Sequence, residues 1–200
     1  MTTNQNQFDK TVDVLVVGSG CGGLTAALTA NISNGSKVLV IEKSNLIGGT
    51  SATSGGVIWI PNNHHAEQAG AVDSTKDAKD YLKATIPADE FNEPMIDSYL
   101  ENGPKMVKFM EDHTDVSYTS LEHYPDYFQD APGVKLGNRA LEPSPVSADT
   151  LEDDVDNLHP SGPQTILFGR YGVNFEESHA FTTQSPGWLK LFLKIFFQYW

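Results

Sequence analysis

Residues 12–23, VDVLVVGSGCGG, constrain this 200-residue chain more than any other stretch. The β-branched apolar run VDVLVV has the pattern of a strand buried on both faces. It runs into Gly18, Gly20 and Gly23, spaced GxGxxG. LTAALTANIS follows with small and apolar residues at helical spacing, and Asn34-Gly35 predicts its end, because both tolerate left-handed backbone. KVLVI at 37–41 reads as a second buried strand, closed by Glu42 and Lys43. Strand, glycine turn, helix and strand make a βαβ unit, which predicts parallel strands and a right-handed crossover.

Each glycine of the turn has a physical task. Gly18 permits the tight exit from the strand, Gly20 lets a pyrophosphate approach the backbone, and Gly23 lets helix and sheet pack closely. Gly22 shares the turn with Cys21. The helix start offers free N–H groups and partial positive charge to phosphate. Glu42 stands 19 residues past the third glycine, where a carboxylate accepts hydrogen bonds from a ribose hydroxyl and repels a 2′-phosphate. Gly18, Gly20, Gly22, Gly23, Glu42 and Lys43 are therefore the expected nucleotide-binding residues.

Composition removes other classes. Against 13 basic residues stand 26 acidic ones, a formal charge of −13, which argues against nucleic acid as a partner. Cys21 is the single cysteine, so no internal disulfide framework exists and a reducing compartment is permitted. MTTNQNQFDK has no apolar signal core; residues 1–10 read as a disordered lead-in and the protein as cytoplasmic. The six histidines show no metal-ligand spacing, and His64-His65 reads as a solvated pair. The acidic run at 152–156 lacks the glycine and closing glutamate of a calcium loop, so no metal is expected. Residues 74–86 read as a helix opened by Ser74 or Thr75, and 93–112 as one or two helices interrupted at Gly103-Pro104. Residues 130–165, rich in Pro, Gly, Asp and Ser, read as long loops. GWLKLFLKIFFQYW is apolar nearly all round and needs cover. It buries in this domain, lies at a membrane interface, or packs on a continuation of the chain. The last reading is preferred, and nothing else points to a membrane.

A second small-residue segment, GGTSATSGGVIWIPNN at 48–63, decides between nucleotide cofactors. An NAD fold passes from its second strand to the next helix without such a segment. In an FAD protein it runs along the cofactor. Gly48, Gly49, Gly55 and Gly56 would let backbone touch the flavin, and Thr50, Ser51 and Ser54 would bind phosphate or ribityl oxygens.

EKSNLIGGTSATSGGVIWIPNN resembles the flavoprotein family that holds 3-ketosteroid Δ1-dehydrogenases and soluble fumarate-reductase-like proteins. The likeness continues through AGAVDSTKDAKDYLKATI, DSYLENGPKMVKFMED, HYPDYF and GNRALEPSP, covering most of residues 12–145. Asn138, between Gly137 and Arg139, departs from the family's Gly-Arg. The resemblance implies an α/β, Rossmann-like FAD-binding domain with a parallel sheet. Residues 11–200 would be its N-terminal part, with the second FAD segment and the substrate domain missing. It implies non-covalent FAD, since His64 and His65 come too late to match the histidine that some relatives link to flavin. It implies an oxidoreductase that dehydrogenates ring A of an apolar 3-oxo steroid. A proton leaves next to the carbonyl, hydride goes to flavin, and an external acceptor takes the electrons. Tyr127 in HYPDYF matches a tyrosine whose hydroxyl supports the base, with Tyr124 and Phe128 walling the pocket. The other catalytic groups have no counterpart, so the chain alone is expected to be inactive. The rivals are a fumarate-reductase-like protein acting on small unsaturated acids, a non-catalytic FAD-binding fragment and an NAD-binding module. The first wants converging arginines, and the chain has only Arg139 and Arg170.

Overall fold

The computed structural model describes residues 8–162, 166–169 and 171–199. Most of the expected lead-in, and Arg170, lie outside these. The chain forms two compact units, residues 1–53 with 148–160, and residues 54–147 with 161–200.

The first unit is the βαβ element. β1 (Val14–Val17) pairs in parallel with β2 (Val38–Ile41), Val14 opposite Val38 and Val17 opposite Ile41. Between them α1 (Cys21–Asn34) packs on both strands and ends where Gly35 turns left-handed at φ 64°. A short α2 (Gly49–Thr53) occupies part of the expected second glycine loop. Two 3-10 turns, within Ala148–Asn157 and broken at Glu152, bring Leu158 beside Ile47. The expectation of burial on both faces fails: Leu15 is 55% and Val17 77% exposed. The described sheet here has two strands, α1 covers the face of Val14 and Val16, and nothing described covers the other.

The second unit contains β3 (Ile58–Trp59), α3 (His64–Gln68), α4 (Thr75–Thr85), α5 (Glu93–His113), β4 (Tyr118–Ser120) and β5 (Ala140–Pro143). It continues with β6 (Ile166–Leu167), β7 (Tyr171–Gly172), α6 (Phe175–Thr183) and α7 (Trp188–Tyr199). An antiparallel sheet in the order β3-β5-β4 packs Leu141 against Ile60 of the β3 end and Val107 of α5. Ser74 caps α4 through the Asp77 N–H, as its sequence predicts.

Three expectations change. α5 is one continuous helix through Pro104, because Leu100, Gly103, Val107 and Met110 bury its inner face on both sides of the proline. Residues 130–165 are not all loop, since β5 is the middle strand of the sheet and is buried over residues 140–142. α7 is two-sided rather than apolar all round. Ile195 is buried, Phe192 and Phe196 meet Phe168 edge-on, and Lys190 and Lys194 are exposed. Among the described residues, no helix is long and apolar enough to cross a membrane.

Candidate active site

In the first unit the glycine turn is shaped by contact rather than by composition. Gly18 has φ +99°. A Cβ on Gly23 would drive into the Gly18 carbonyl oxygen, whereas at Gly22 it would meet open space. At Gly20 the nearest atom to such a Cβ is Ser51 Oγ, 3.6 Å away. Helix α1 starts at Gly20 with no side-chain cap and no acid in its first turn. A 14-residue helix whose N-cap residue is a glycine with no side-chain cap of its own fits a pyrophosphate. Ser51 Oγ accepts from the Cys21 N–H at 3.0 Å, which brings the second small-residue segment to the start of the helix.

Glu42 knits this turn together. One carboxylate oxygen accepts from the Ser19 N–H (3.0 Å) and Ser19 hydroxyl (2.7 Å), the other from the Ser44 N–H (3.0 Å). The Ser44 amide first, then the Ser19 groups, hold its pKa down to about 2. A ribose hydroxyl would share the carboxylate with these donors. Ser19 Oγ in turn accepts from the buried Gly48 N–H (2.9 Å), so strand end and second loop are locked through one serine. Lys43 is exposed, Gly49 opens α2, and the Thr50 carbonyl accepts from the Thr53 hydroxyl. In the second unit, Ser54 Oγ accepts from Gly56 N, Gly55 is exposed, and Gly56 lies close under Pro143.

The second unit holds an apolar cleft of about 330 Å³, near the lower end of small-ligand sites at ~300–1,000 Å³. Val57, Trp59, Leu82, Tyr124, Tyr127 and Phe128 line it. Tyr127 is 81% exposed, and its hydroxyl lies 3.2 Å from that of Tyr124. That contact, with some burial, raises the pKa of Tyr124, so its hydroxyl keeps its proton to higher pH. Sequence reasoning had made Tyr124 only a wall. The HYPDYF spacing holds both tyrosines, but only the turn brings their hydroxyls together.

Asp126 sets that turn. Its buried carboxylate accepts from Trp59 Nε1 (2.7 Å), Arg139 Nη1 (2.7 Å) and Lys135 N (2.9 Å). Arg139 also grips Asp73 through Nε (2.9 Å) and Nη2 (2.7 Å), and its guanidinium lies over Trp59 and Tyr81. Burial opposes the charge on Arg139, but Asp73 and Asp126 outweigh it and keep the guanidinium firmly protonated. Trp59 stacks on Tyr99, whose hydroxyl donates to the Trp59 carbonyl. This cluster escaped sequence reasoning because Asp73, Asp126 and Arg139 share no local spacing. A second constellation also escaped it. His64 and His65 are not a solvated pair but half-buried, and both reach Glu111 at 2.9 Å.

The family model described as the FAD binding domain matches residues 13–149. The 4-oxocyclohexanecarboxylate 2-dehydrogenase of Sinomonas cyclohexanicum is 40% identical over 173 residues, 86% of this chain and 29% of that protein. The 3-oxosteroid 1-dehydrogenase of Mycobacterium tuberculosis (strain ATCC 25618 / H37Rv) is 41% identical over 150 residues, 74% of this chain and 26% of that protein. The crystal structure of 3-ketosteroid Δ1-dehydrogenase from Sterolibacterium denitrificans in complex with 1,4-androstadiene-3,17-dione aligns with TM-score 0.85 and 38% identity. That alignment covers 92% of this chain and 32% of the other. The chain thus spans under a third of the length of each of these three proteins.

Proposed function

Because this chain belongs to the FAD-binding-domain family, we propose that it is part of a flavin-dependent oxidoreductase that dehydrogenates ring A of a 3-oxo steroid. FAD, held without a covalent link, supplies the hydride acceptor. The α1 turn with Gly18, Gly20, Gly22 and Gly23 takes the pyrophosphate. Glu42 and Lys43 face the ribose side, and Gly48 to Ser51 with Ser54 to Gly56 follow the cofactor. The names of the steroid and oxocyclohexane relatives both describe a ring that carries a ketone and loses hydrogen, which supports the reaction type.

The apolar cleft with its paired tyrosine hydroxyls carries the substrate assignment. A free tyrosine has a pKa near 10 and is a weak base at neutral pH. Tyr127, with Tyr124 behind it, donates to the phenolate of a base supplied from outside this chain and eases proton removal next to the ketone. A carboxylate substrate, such as an oxocyclohexanecarboxylate or a small unsaturated acid, would need a cation in the cleft. No lysine or arginine lines the cleft among the described residues, and Arg139 behind it is paired with Asp73 and Asp126. An external acceptor reoxidises the flavin, and the expected place of work is the cytoplasm.

The test is a version extended at its C-terminus, purified with flavin and assayed by dye reduction. Bleaching of the flavin by 3-oxo steroids but not by 4-oxocyclohexanecarboxylate is the expected result. Bleaching by the acid alone would overturn the steroid assignment, and a protein that binds no FAD would overturn the whole reading. In that version Tyr127→Phe is expected to lower kcat on the order of a hundredfold with KM little changed.

A further inference from the structure

Neither the glycine turn nor the apolar cleft uses His64, His65 or Glu111. We propose that these three residues form a binding site for a divalent cation of the zinc class. His64 Nε2 lies 2.9 Å from one oxygen of Glu111, and His65 Nε2 lies 2.9 Å from the other. All the ligand atoms fall within 4.8 Å of one another. Zinc bonds to imidazole and carboxylate are about 2.0–2.2 Å long, so small side-chain shifts would bring all three onto one ion. Two imidazole nitrogens and one carboxylate suit zinc, with water in the fourth place. Magnesium and calcium prefer oxygen throughout.

The scaffold holds these groups in place before any ion arrives. Glu111 Oε1 also accepts from the Tyr118 N–H at 2.9 Å, an outer contact that orients the carboxylate. Glu111 lies in the last turn of the 21-residue α5, whose carbonyl end favours a cation. The histidines follow Asn63, which is 1% exposed. The Asn63 side chain accepts from Ala66 N (2.9 Å) and donates to the carbonyls of Ile60 (2.7 Å) and Asn138 (2.8 Å). The two rings stand 4.1 Å apart and are only partly exposed, which leaves one side open to an incoming ion and its water. Without metal, a ring protonated on Nε2 donates a hydrogen bond from that nitrogen to Glu111. With metal, each ring carries its proton on Nδ1 instead, and no other atom changes hands. The ion ties α3 to α5 and the start of β4.

Titration of EDTA-treated protein with zinc chloride in a calorimeter tests this. One ion per chain is expected, with a rise in Tm that magnesium and calcium do not produce. His64→Gln and His65→Gln keep an N–H donor at similar reach but lose the imidazole nitrogen that zinc prefers, so fold and metal-free Tm should stay near the parent value. Each is expected to weaken zinc binding roughly tenfold or more, as is Glu111→Gln, while His123→Gln leaves it unchanged. Cobalt(II) should give a tetrahedral visible band in the parent that the glutamine variants lack. No one-to-one binding by the parent, or equal binding by the His64→Gln and His65→Gln variants, would overturn the proposal. If a variant unfolds, the cobalt spectrum of the parent decides alone: no tetrahedral band means no site.

Discussion

Gly22 and Gly23 are adjacent in one turn, yet they tolerate a side chain differently. A methyl group at Gly23 collides with the carbonyl of Gly18, and one at Gly22 meets nothing. Gly23→Ala is therefore expected to cost about 1–3 kcal/mol and to release flavin. Gly22→Ala should leave stability within about 0.5 kcal/mol or raise it slightly. Thermal unfolding and flavin absorbance read both. Glu42 predicts a pH dependence. Its folded pKa of about 2 lies below the ordinary 4.5, so its contribution is whole above pH 4.5 and fades as the pH falls toward 2. The carboxylate is accessible to water, which keeps the contribution modest. Glu42→Gln should flatten the Tm-against-pH curve in that window relative to the parent. Parallel curves would show that the bonds from Ser19 and Ser44 do not stabilise the fold. The sequence singled out Gly18, Gly20 and Gly23 because their spacing is local. It did not indicate that Ser19 would compete for Glu42, since that depends on how the turn after β1 places the Ser19 groups against the end of β2.

At the scale of elements, the Arg139 cluster links β3, β5, the N-cap side of α4 and the Tyr127 turn. Removing one partner strands a buried charge. Arg139→Ala is expected to cost about 3–5 kcal/mol in chemical denaturation. Asp126→Asn is expected to loosen the turn and disturb the Tyr124–Tyr127 contact. The cost for Arg139 should greatly exceed that of any exposed pair, such as Lys105 with Glu101 on α5. Caps and amphipathic helices were legible in the sequence because their chemistry spans one to four residues. β5 was not. Its stretch, with Arg139 before it and Glu142 and Pro143 within it, looks like a polar loop. Only Asp73 and Asp126, 66 and 13 residues away from Arg139, make that charge tolerable beside a buried strand. Pro104 misled in the opposite sense, because packing on both sides outweighs one missing backbone bond in α5.

At the scale of the molecule, the first unit is assembled from two separate stretches. Ile47 N donates to the Asn157 carbonyl, and His159 N to the Ile47 carbonyl, each at 2.8–2.9 Å. Composition across 130–165 gave no sign of that return. The second unit ends in α7, where Leu189, Leu193 and Phe197 form an exposed apolar stripe at four-residue spacing. Leu189→Glu with Leu193→Glu is expected to reduce self-association and hydrophobic-dye binding in light scattering and fluorescence, while changing stability by no more than about 0.5 kcal/mol per site. A large loss of stability would mean that the stripe supports the unit's own core.

By itself the sequence determined the βαβ unit, its parallel pairing, its glycine turn, the helix caps and the FAD-binding family. These depend on backbone sterics and on periodicities of two to four residues, which neighbouring side chains already contain. Tertiary structure alone decided the rest: the buried Arg139 cluster, the meeting of the Tyr124 and Tyr127 hydroxyls, and the convergence of two histidines on Glu111. The buried charge and the histidine–glutamate cluster need partners far apart in the chain, and the two tyrosine hydroxyls, three residues apart, meet only because of the turn between them. Only the packed fold supplies the low dielectric and the fixed distances that give them their chemistry.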